Sequence, residues 1–474
     1  MSQLVRANGK TFDYHVPLAI IGAGAAGLVA ALAAHEQGED VLVLERDPLP
    51  RGSTALSAGL IPAAATRWQR AAGIADTPEQ FAGDILRKAH QEPDALIVDH
   101  VTRLAGPTLE WLADRHGLNF SVIEDFSYPG HSARRMHGLA SRSGEELIDA
   151  LRAAVEGSDI PVICDAHVTT LFADDADHVL GLAFTRPDGA VEEVGCDRLI
   201  LACNGYGGNR SLVSAHIPSL AEATYFGHAG NQGDALLWGE ALGASTRHLN
   251  GHQGHGSVAH PAGILISWAT ITEGGFQVNM DGERFSDEAK GYSEQAADVL
   301  KQPEGLAWSI FDVRIAAIAR QFEDFRRAEA MGVVVTADDL SQLAARMNVP
   351  EDALRQIEEQ VAACKRGEAS DPFGRNFAGS PQLSAPFCAV RVTGALFHTQ
   401  GGLVVDTAAR VLRPDGTPLP NLHAAGGAAC GVSGNAASGY LSGNGLLTAV
   451  TLGWSAGAGS SAHAVRCPSI LGKS

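Results

Sequence analysis

The chain has 474 residues, with 35 lysines and arginines against 54 aspartates and glutamates, a formal net charge of −19, and it is 45% hydrophobic and 19% charged. That is the composition of a globular chain with apolar content for two or three units, and its acidity argues against a nucleic-acid partner, whose phosphates need a basic surface. Residues 1–20 lack the charged start, apolar run and cleavage site of a signal peptide, no stretch approaches the roughly 20 apolar residues of a spanning helix, and the seven cysteines (164, 196, 203, 364, 388, 430, 467) form no C-x-x-C pair, so reduced thiols, no membrane span and a cytoplasmic location are expected.

The first predicted elements are the clearest. Residues 18–21 form a short apolar run that predicts a buried strand. Gly22-Ala23-Gly24-Ala25-Ala26-Gly27 follows, then an alanine-rich helix over 28–37, a second strand at 41–44, and Glu45. This is a βαβ unit with a dinucleotide fingerprint. Gly22 makes the tight turn, Gly24 lets the main chain approach a pyrophosphate, and Gly27 lets helix and strand pack closely. Glu45 stands where a carboxylate accepts hydrogen bonds from a ribose.

Helical spacing recurs at 80–90, 99–116 and 144–155. Residues 162–202 predict short strands with turns at 174–175 and 187–189, running into a glycine cluster at 205–208. Amphipathic helices are predicted over 337–346 and 351–365, and a glycine-rich helix near 446–457. Glycine islands beside apolar runs point to backbone packed against a ligand rather than to disorder. A core split by an inserted domain fits this order better than two sequential domains.

Taken together, these segments resemble the fumarate reductase/succinate dehydrogenase flavoproteins and their soluble relatives, among them 3-ketosteroid Δ1-dehydrogenases and 4-oxocyclohexanecarboxylate desaturases. The resemblance covers almost the whole chain. Its residues are Gly22–Gly27 with Glu45, the loop 53–59, 201–208, Gly230–Asp234, 278–285, His398–Gly402 and Gly439–Gly445. It implies an α/β fold: a two-dinucleotide-binding, Rossmann-like FAD domain (1–227 and 376–474) interrupted by an α+β capping domain (228–375). It implies FAD, held by Gly22, Gly24, Ala26, Gly27, Glu45, Ser53, Thr54, Ser57, Ala58, Gly59, Ala202, Gly205, Asp234, Gly426, Asn444 and Leu446. No histidine lies between Glu45 and Gly59, so non-covalent FAD is implied. Gly426-Gly427 replaces the family's usual Gly-Glu, which removes one customary flavin contact.

Within this resemblance, Tyr292 and Tyr440 occupy positions where fumarate reductases carry arginines and ketosteroid Δ1-dehydrogenases carry tyrosines. Tyr128 matches a third tyrosine. His255 and His398 match carboxylate-binding histidines. A tyrosine hydroxyl beside backbone N–H groups suits negative charge developing on a carbonyl oxygen, and a second tyrosine suits removal of the neighbouring proton. His255 and His398, titrating near 6.5 if unperturbed, are expected to grip a carboxylate. The run His248, His252, His255, His260 is interrupted by glycines 251, 254 and 256, which argues against a rigid metal-ligand set, so no metal is expected. Arg134 and Arg135 read as an exposed basic pair.

The leading expectation is an FAD-dependent desaturase that forms a C=C bond next to a carbonyl in a small cyclic ketone or keto acid. Hydride goes to the flavin, a proton to a tyrosine, and electrons onward to oxygen or a carrier. The alternative is an enzyme of carboxylic acids, like tricarballylate dehydrogenase or fumarate reductase. A third reading is a flavin-binding protein without catalysis.

Overall fold

A computed structural model describes residues 2–124 and 128–459, so Cys467 lies outside the described residues. The chain divides into two compact units. The first comprises 1–212, 227–251 and 399–474; the second comprises 213–226 and 252–398. The architecture is α/β, with the second unit inserted in the first.

The first unit is built on a nine-stranded sheet. Its centre is parallel: Pro418–Ala424, Val191–Leu201, His15–Ile21, Val41–Leu44 and Val162–Ile163 lie side by side. Strands buried on both faces should read as continuous apolar runs. Val41–Leu44 is buried at every position, and Leu18 to Ile20 are wholly inaccessible. His167–Ala173 and Val179–Thr185 extend the sheet antiparallel.

Helix Ala25–Glu36 packs on this sheet, and the C-terminal helix Asn444–Ala458 packs on that helix. The second contact depends on small residues spaced one turn apart. A Cβ on Gly453 would sit 2.5 Å from the Ala26 carbonyl oxygen, and one on Gly457 would sit 2.2 Å from that of Ala30. Other helices start with the side-chain caps their sequences supply: Thr77 for Pro78–Lys88, Asp94 for Ala95–His116 and Ser143 for Gly144–Gly157.

The second unit has a seven-stranded sheet in the order Ile264–Leu265, His252–Ala259, Phe387–Thr399, Leu306–Asp312 and Phe276–Val278, with Thr224–Tyr225 and Val335–Ala337 also pairing to Phe387–Thr399. The strand Phe387–Thr399, assigned from sequence to the returning part of the first domain, pairs with Leu306–Asp312 here. Helix Tyr292–Leu300 lies on strand His252–Ala259. Gly254 and Gly256 make room for it: a Cβ on Gly254 would meet Ala296 Cβ at 2.7 Å, and one on Gly256 would meet Gln295 at 2.8 Å. Among the described residues no helix is long and apolar enough to cross a membrane.

Candidate active site

The βαβ turn of the first unit is fixed by its own backbone. The Gly22 N–H donates to the Leu44 carbonyl at 2.8 Å. Gly22 has φ +102°, and a Cβ there would lie 2.6 Å from Ala202 O; on Gly27 it would lie 1.9 Å from Gly22 O. Gly24 differs, because among the described residues a Cβ there meets only Thr54 Oγ1 within 4 Å, at 3.6 Å. The space beside Gly24, at the start of a helix, is therefore open to a ligand. Glu45 is buried, and its carboxylate accepts N–H bonds from Ala23 (2.8 Å) and Asp47 (3.0 Å). Each oxygen keeps lone pairs for a ribose hydroxyl.

The serine-rich loop is tied to this turn. Ala25 N–H donates to Thr54 Oγ1 at 3.0 Å, and Ser53 Oγ accepts from Asn204 and Asn231 at 3.1 and 2.9 Å. Ser57 Oγ accepts from the Gly59 N–H at 3.1 Å.

A second group in the same unit is built from two distant segments. Tyr440 is buried, which raises its pKa, the N–H groups of Gly443 and Gly445 face its hydroxyl, and Tyr128 acts on it through electrostatics. Burial pushes Tyr128 up to about 12, against the opposing charge of Arg142. His131 bridges the segments: Nε2 lies 3.0 Å from Ser442 O and Nδ1 lies 3.2 Å from Arg135 Nη1. Arg135 is 1% exposed and held by Asp76 (2.9 and 3.0 Å) and by Asp84. The expected exposed pair is thus corrected. Arg134 is exposed, but Arg135 is a buried ion-pair centre, because two buried carboxylates 51 and 59 residues upstream require a cation.

The second unit places His255 in an aromatic column. Its ring stacks on Tyr292 (centroids 4.8 Å, 20°) and on Phe397 (5.3 Å, 24°), with Trp268 edge-on at 5.6 Å. Phe226 stacks on Phe397 at 4.8 Å. His255 Nδ1 accepts the Ser257 N–H at 3.1 Å, so the ring hydrogen sits on Nε2. Burial lowers its pKa to about 3. The expectation of a histidine titrating near 6.5 does not hold for His255: the column excludes the water that would solvate an imidazolium. His398 is half-buried at the end of strand Phe387–Thr399, next to Phe397.

Tyr292 is the first residue of its helix, and the turn before it is anchored by charge. Arg284 pairs with Glu288 (2.7 Å) and Asp371, and Arg375 pairs with Glu288 at 3.0 Å. All four are buried or nearly so, and these partners neutralise one another. Among the described residues no three histidine, cysteine, aspartate or glutamate side chains converge as metal ligands.

A family model described as "FAD binding domain" matches residues 18–446. The chain belongs to the FAD-binding domain family. It is 29% identical over 450 residues to a probable fumarate reductase of Shewanella frigidimarina, covering 94% of this chain and 75% of that one. It is 28% identical to the NADH:fumarate oxidoreductase of Klebsiella pneumoniae, again over 94% of this chain, which spans about half (47%) of that protein. Among solved structures, an open-conformation flavocytochrome c3 fumarate reductase superposes with TM-score 0.81 at 27% identity, over 94% of this chain and 78% of that one. A 3-ketosteroid-Δ4-(5α)-dehydrogenase from Rhodococcus jostii shares the fold, with TM-score 0.74 at 23% identity, over 97% and 99%. This FAD-binding chain is an oxidoreductase that acts on CH–CH groups.

The residues fit FAD. Besides the opening at Gly24, the buried Oδ1 of Asn444 has no hydrogen-bond partner among the described residues, while its Nδ2 donates to Ser433 Oγ at 3.0 Å. A buried acceptor left unsatisfied at a helix start is a polar group waiting for a ligand. Gly426 lies against Ala26, a Cβ there reaching Ala26 Cβ at 3.0 Å, and Leu446 is half-buried against the core. Ala202 continues the central strand by donating to Ile21 O, Gly205 accepts from Gly233 N–H, and Ala58 is exposed. Asp234 opens the helix Asp234–Ala241 and accepts from Ser2 Oγ. Sequence reasoning overlooked His131, Trp268, Phe226 and Phe397. Only the H-x-x-x-R spacing of His131 and Arg135 offered a signal.

Proposed function

We propose that this protein is an FAD-dependent desaturase forming a C=C bond next to the carbonyl of a small cyclic ketone or keto acid. The observation that carries this reading is the buried Tyr440 hydroxyl, faced by two backbone N–H groups. Bound FAD supplies a two-electron hydride acceptor.

The chain's own residues do the rest. The N–H groups of Gly443 and Gly445 donate to the Tyr440 oxygen, which strengthens its O–H as a donor to the substrate carbonyl. That carbonyl gains negative charge as the neighbouring carbon loses its proton, so the bond is strongest when it matters. Burial keeps both Tyr440 and Tyr128 protonated at neutral pH. Tyr292, whose ring stacks on His255, takes the proton as its phenolate and becomes a neutral phenol. The hydride of the next carbon would go to FAD held by the Gly22–Gly27 turn and Asn444, with oxygen or a carrier as the final electron acceptor. The scattered cysteines, with no C-x-x-C pair in the sequence, support a cytoplasmic setting.

A carboxylic-acid enzyme is the second reading, favoured by the names of the fumarate-reducing relatives and by His398. Anaerobic mixing of the yellow protein with cyclohexanones, keto acids, steroids, tricarballylate and succinate separates the two. Bleaching by ketones is expected. Bleaching by succinate or tricarballylate alone would reverse the order.

A further inference from the structure

His131 sits between a group that can only donate and a group that can only accept. The Arg135 guanidinium approaches Nδ1 at 3.2 Å, and the Ser442 carbonyl lies 3.0 Å from Nε2. Guanidinium has no acceptor and a carbonyl has no donor. The imidazole is therefore neutral, with its hydrogen on Nε2; an imidazolium would turn an N–H against an Arg N–H. Its surroundings ask for no further charge. Arg135 and Arg87 balance Asp76 and Asp84, and Asp84 is also satisfied by Ser132 N–H and Oγ at 2.8 and 2.7 Å. Burial holds the His131 pKa down to about 4, in agreement.

The Ser442 carbonyl shares one rigid plane with the Gly443 N–H. The Ser442–Gly443 bond is trans, so the two groups point in opposite directions. Fixing the carbonyl on His131 therefore aims the N–H away from His131, and that N–H faces the Tyr440 hydroxyl. Gly443 has φ +88°, a backbone free to rotate the plane if nothing pins it. Gly130 packs on Leu441, and the His131 N–H donates to Tyr128 O at 3.3 Å, so the same turn also carries Tyr128.

We propose that His131 is a positioning residue, a neutral bridge from Arg135 that sets the Ser442–Gly443 peptide plane and thereby holds the Gly443 N–H on the Tyr440 hydroxyl. The inference deepens the proposed function, since Tyr440 is its carbonyl donor, but its geometric part is tested without any substrate.

Three variants of the FAD-loaded protein decide it. His131→Phe keeps the ring beside Phe81 and removes both hydrogen bonds; His131→Gln keeps a neutral donor and acceptor; Tyr440→Phe removes the acceptor of the Gly443 N–H. Amide hydrogen exchange, followed by mass spectrometry of peptides covering 441–446, should quicken at Gly443 in His131→Phe and in Tyr440→Phe and stay slow in His131→Gln. With a ketone that bleaches the wild type, His131→Phe should lower the reduction rate by about 10- to 100-fold, the scale of a misplaced catalytic group, with KM unchanged. His131→Phe added to Tyr440→Phe should cost nothing more, because the two act as one unit. Wild-type exchange in His131→Phe, additive rate losses, or His131→Gln as slow as His131→Phe would each overturn the proposal. If His131→Phe fails to hold FAD, His131→Ala replaces it, and Tyr440→Phe alone still reports whether the Gly443 N–H rests on that hydroxyl. If no ketone bleaches the wild type, the proposed function fails while the exchange data still judge His131.

Discussion

The imidazole of His255 lies face to face with the phenol ring of Tyr292, 4.8 Å between centroids and 20° from parallel. Its other face meets Phe397 and its edge meets Trp268. With Nδ1 occupied by the Ser257 N–H, this histidine offers a neutral N–H and no charge. Replacing His255 by Gln should therefore lower kcat/KM by about 3- to 10-fold, the worth of one neutral hydrogen bond. The loss should be equal for 4-oxocyclohexanecarboxylate and cyclohexanone and constant between about pH 5.5 and 8. Paired-substrate kinetics check this. A loss confined to the keto acid would mean that His255 is charged in the complex.

Tyr440→Phe should slow substrate-driven flavin reduction by about 10²–10³-fold, the usual cost of one lost charge-stabilising donor, and Tyr292→Phe, which removes the base, by about 10²–10⁴-fold. FAD content should not change, since the proposed cradle is Gly22–Gly27, Thr54 and Asn444. Stopped-flow reduction with the flavin absorbance as loading control makes the comparison. Wild-type rates in both would return these tyrosines to the packing.

FAD should be released into the supernatant by acid precipitation. The expectation rests on the stretch from Glu45 to Gly59, which contains no histidine to link to the isoalloxazine. Flavin that stays with the pellet would refute it.

Stability should fall in mild acid. Burial lowers His131 and His137 to about 4 and His255 and His423 to about 3, from 6.5. Folded pKa values below the unfolded one mean that the unfolded chain takes protons first. The contribution of these histidines is level above pH 6.5 and declines as pH drops toward 4, by about 1.4 kcal/mol per histidine per pH unit. Urea unfolding across that window should show the slope, and His423→Leu, which removes a ring whose Nδ1 has no partner among the described residues, should reduce it by about one proton.

Gly457→Val should destabilise the first unit by at least about 1–3 kcal/mol, because a Cβ there has 2.2 Å to the Ala30 carbonyl. Gly332→Ala, where a Cβ meets nothing within 4 Å, is the control for a glycine loss without a clash; its φ of +69° still charges a backbone cost. Thermal unfolding followed by circular dichroism ranks the two, and the opposite ranking would contradict the helix contact described above.

The βαβ unit and Glu45 were legible because everything that defines them lies within about 30 residues, where spacing alone fixes geometry. The helix at 446–457 was legible as an element, but the reason for its glycines was not: it lies in the Ala26 and Ala30 carbonyls, over 400 residues earlier. Arg135 was misread because a basic pair looks like surface until Asp76 and Asp84 are brought beside it. His255 was found by motif, yet its neutrality required Tyr292, Trp268 and Phe397, which sequence spacing does not bring together. Glycines 254 and 256 argued against a metal; in the fold they also seat a helix.

The central sheet is finished late. Strand Val191–Leu201 pairs with Pro418–Ala424, and Leu199 and its partner Leu422 are 223 positions apart. During synthesis the ribosome exposes one open, apolar strand edge and then makes the whole inserted unit before that edge can be closed. Such edges invite intermolecular pairing. Nascent chains stalled just before residue 418 should accumulate on holdase chaperones, whereas those carried past the helix Asn444–Ala458 should become protease-resistant as one cooperative step.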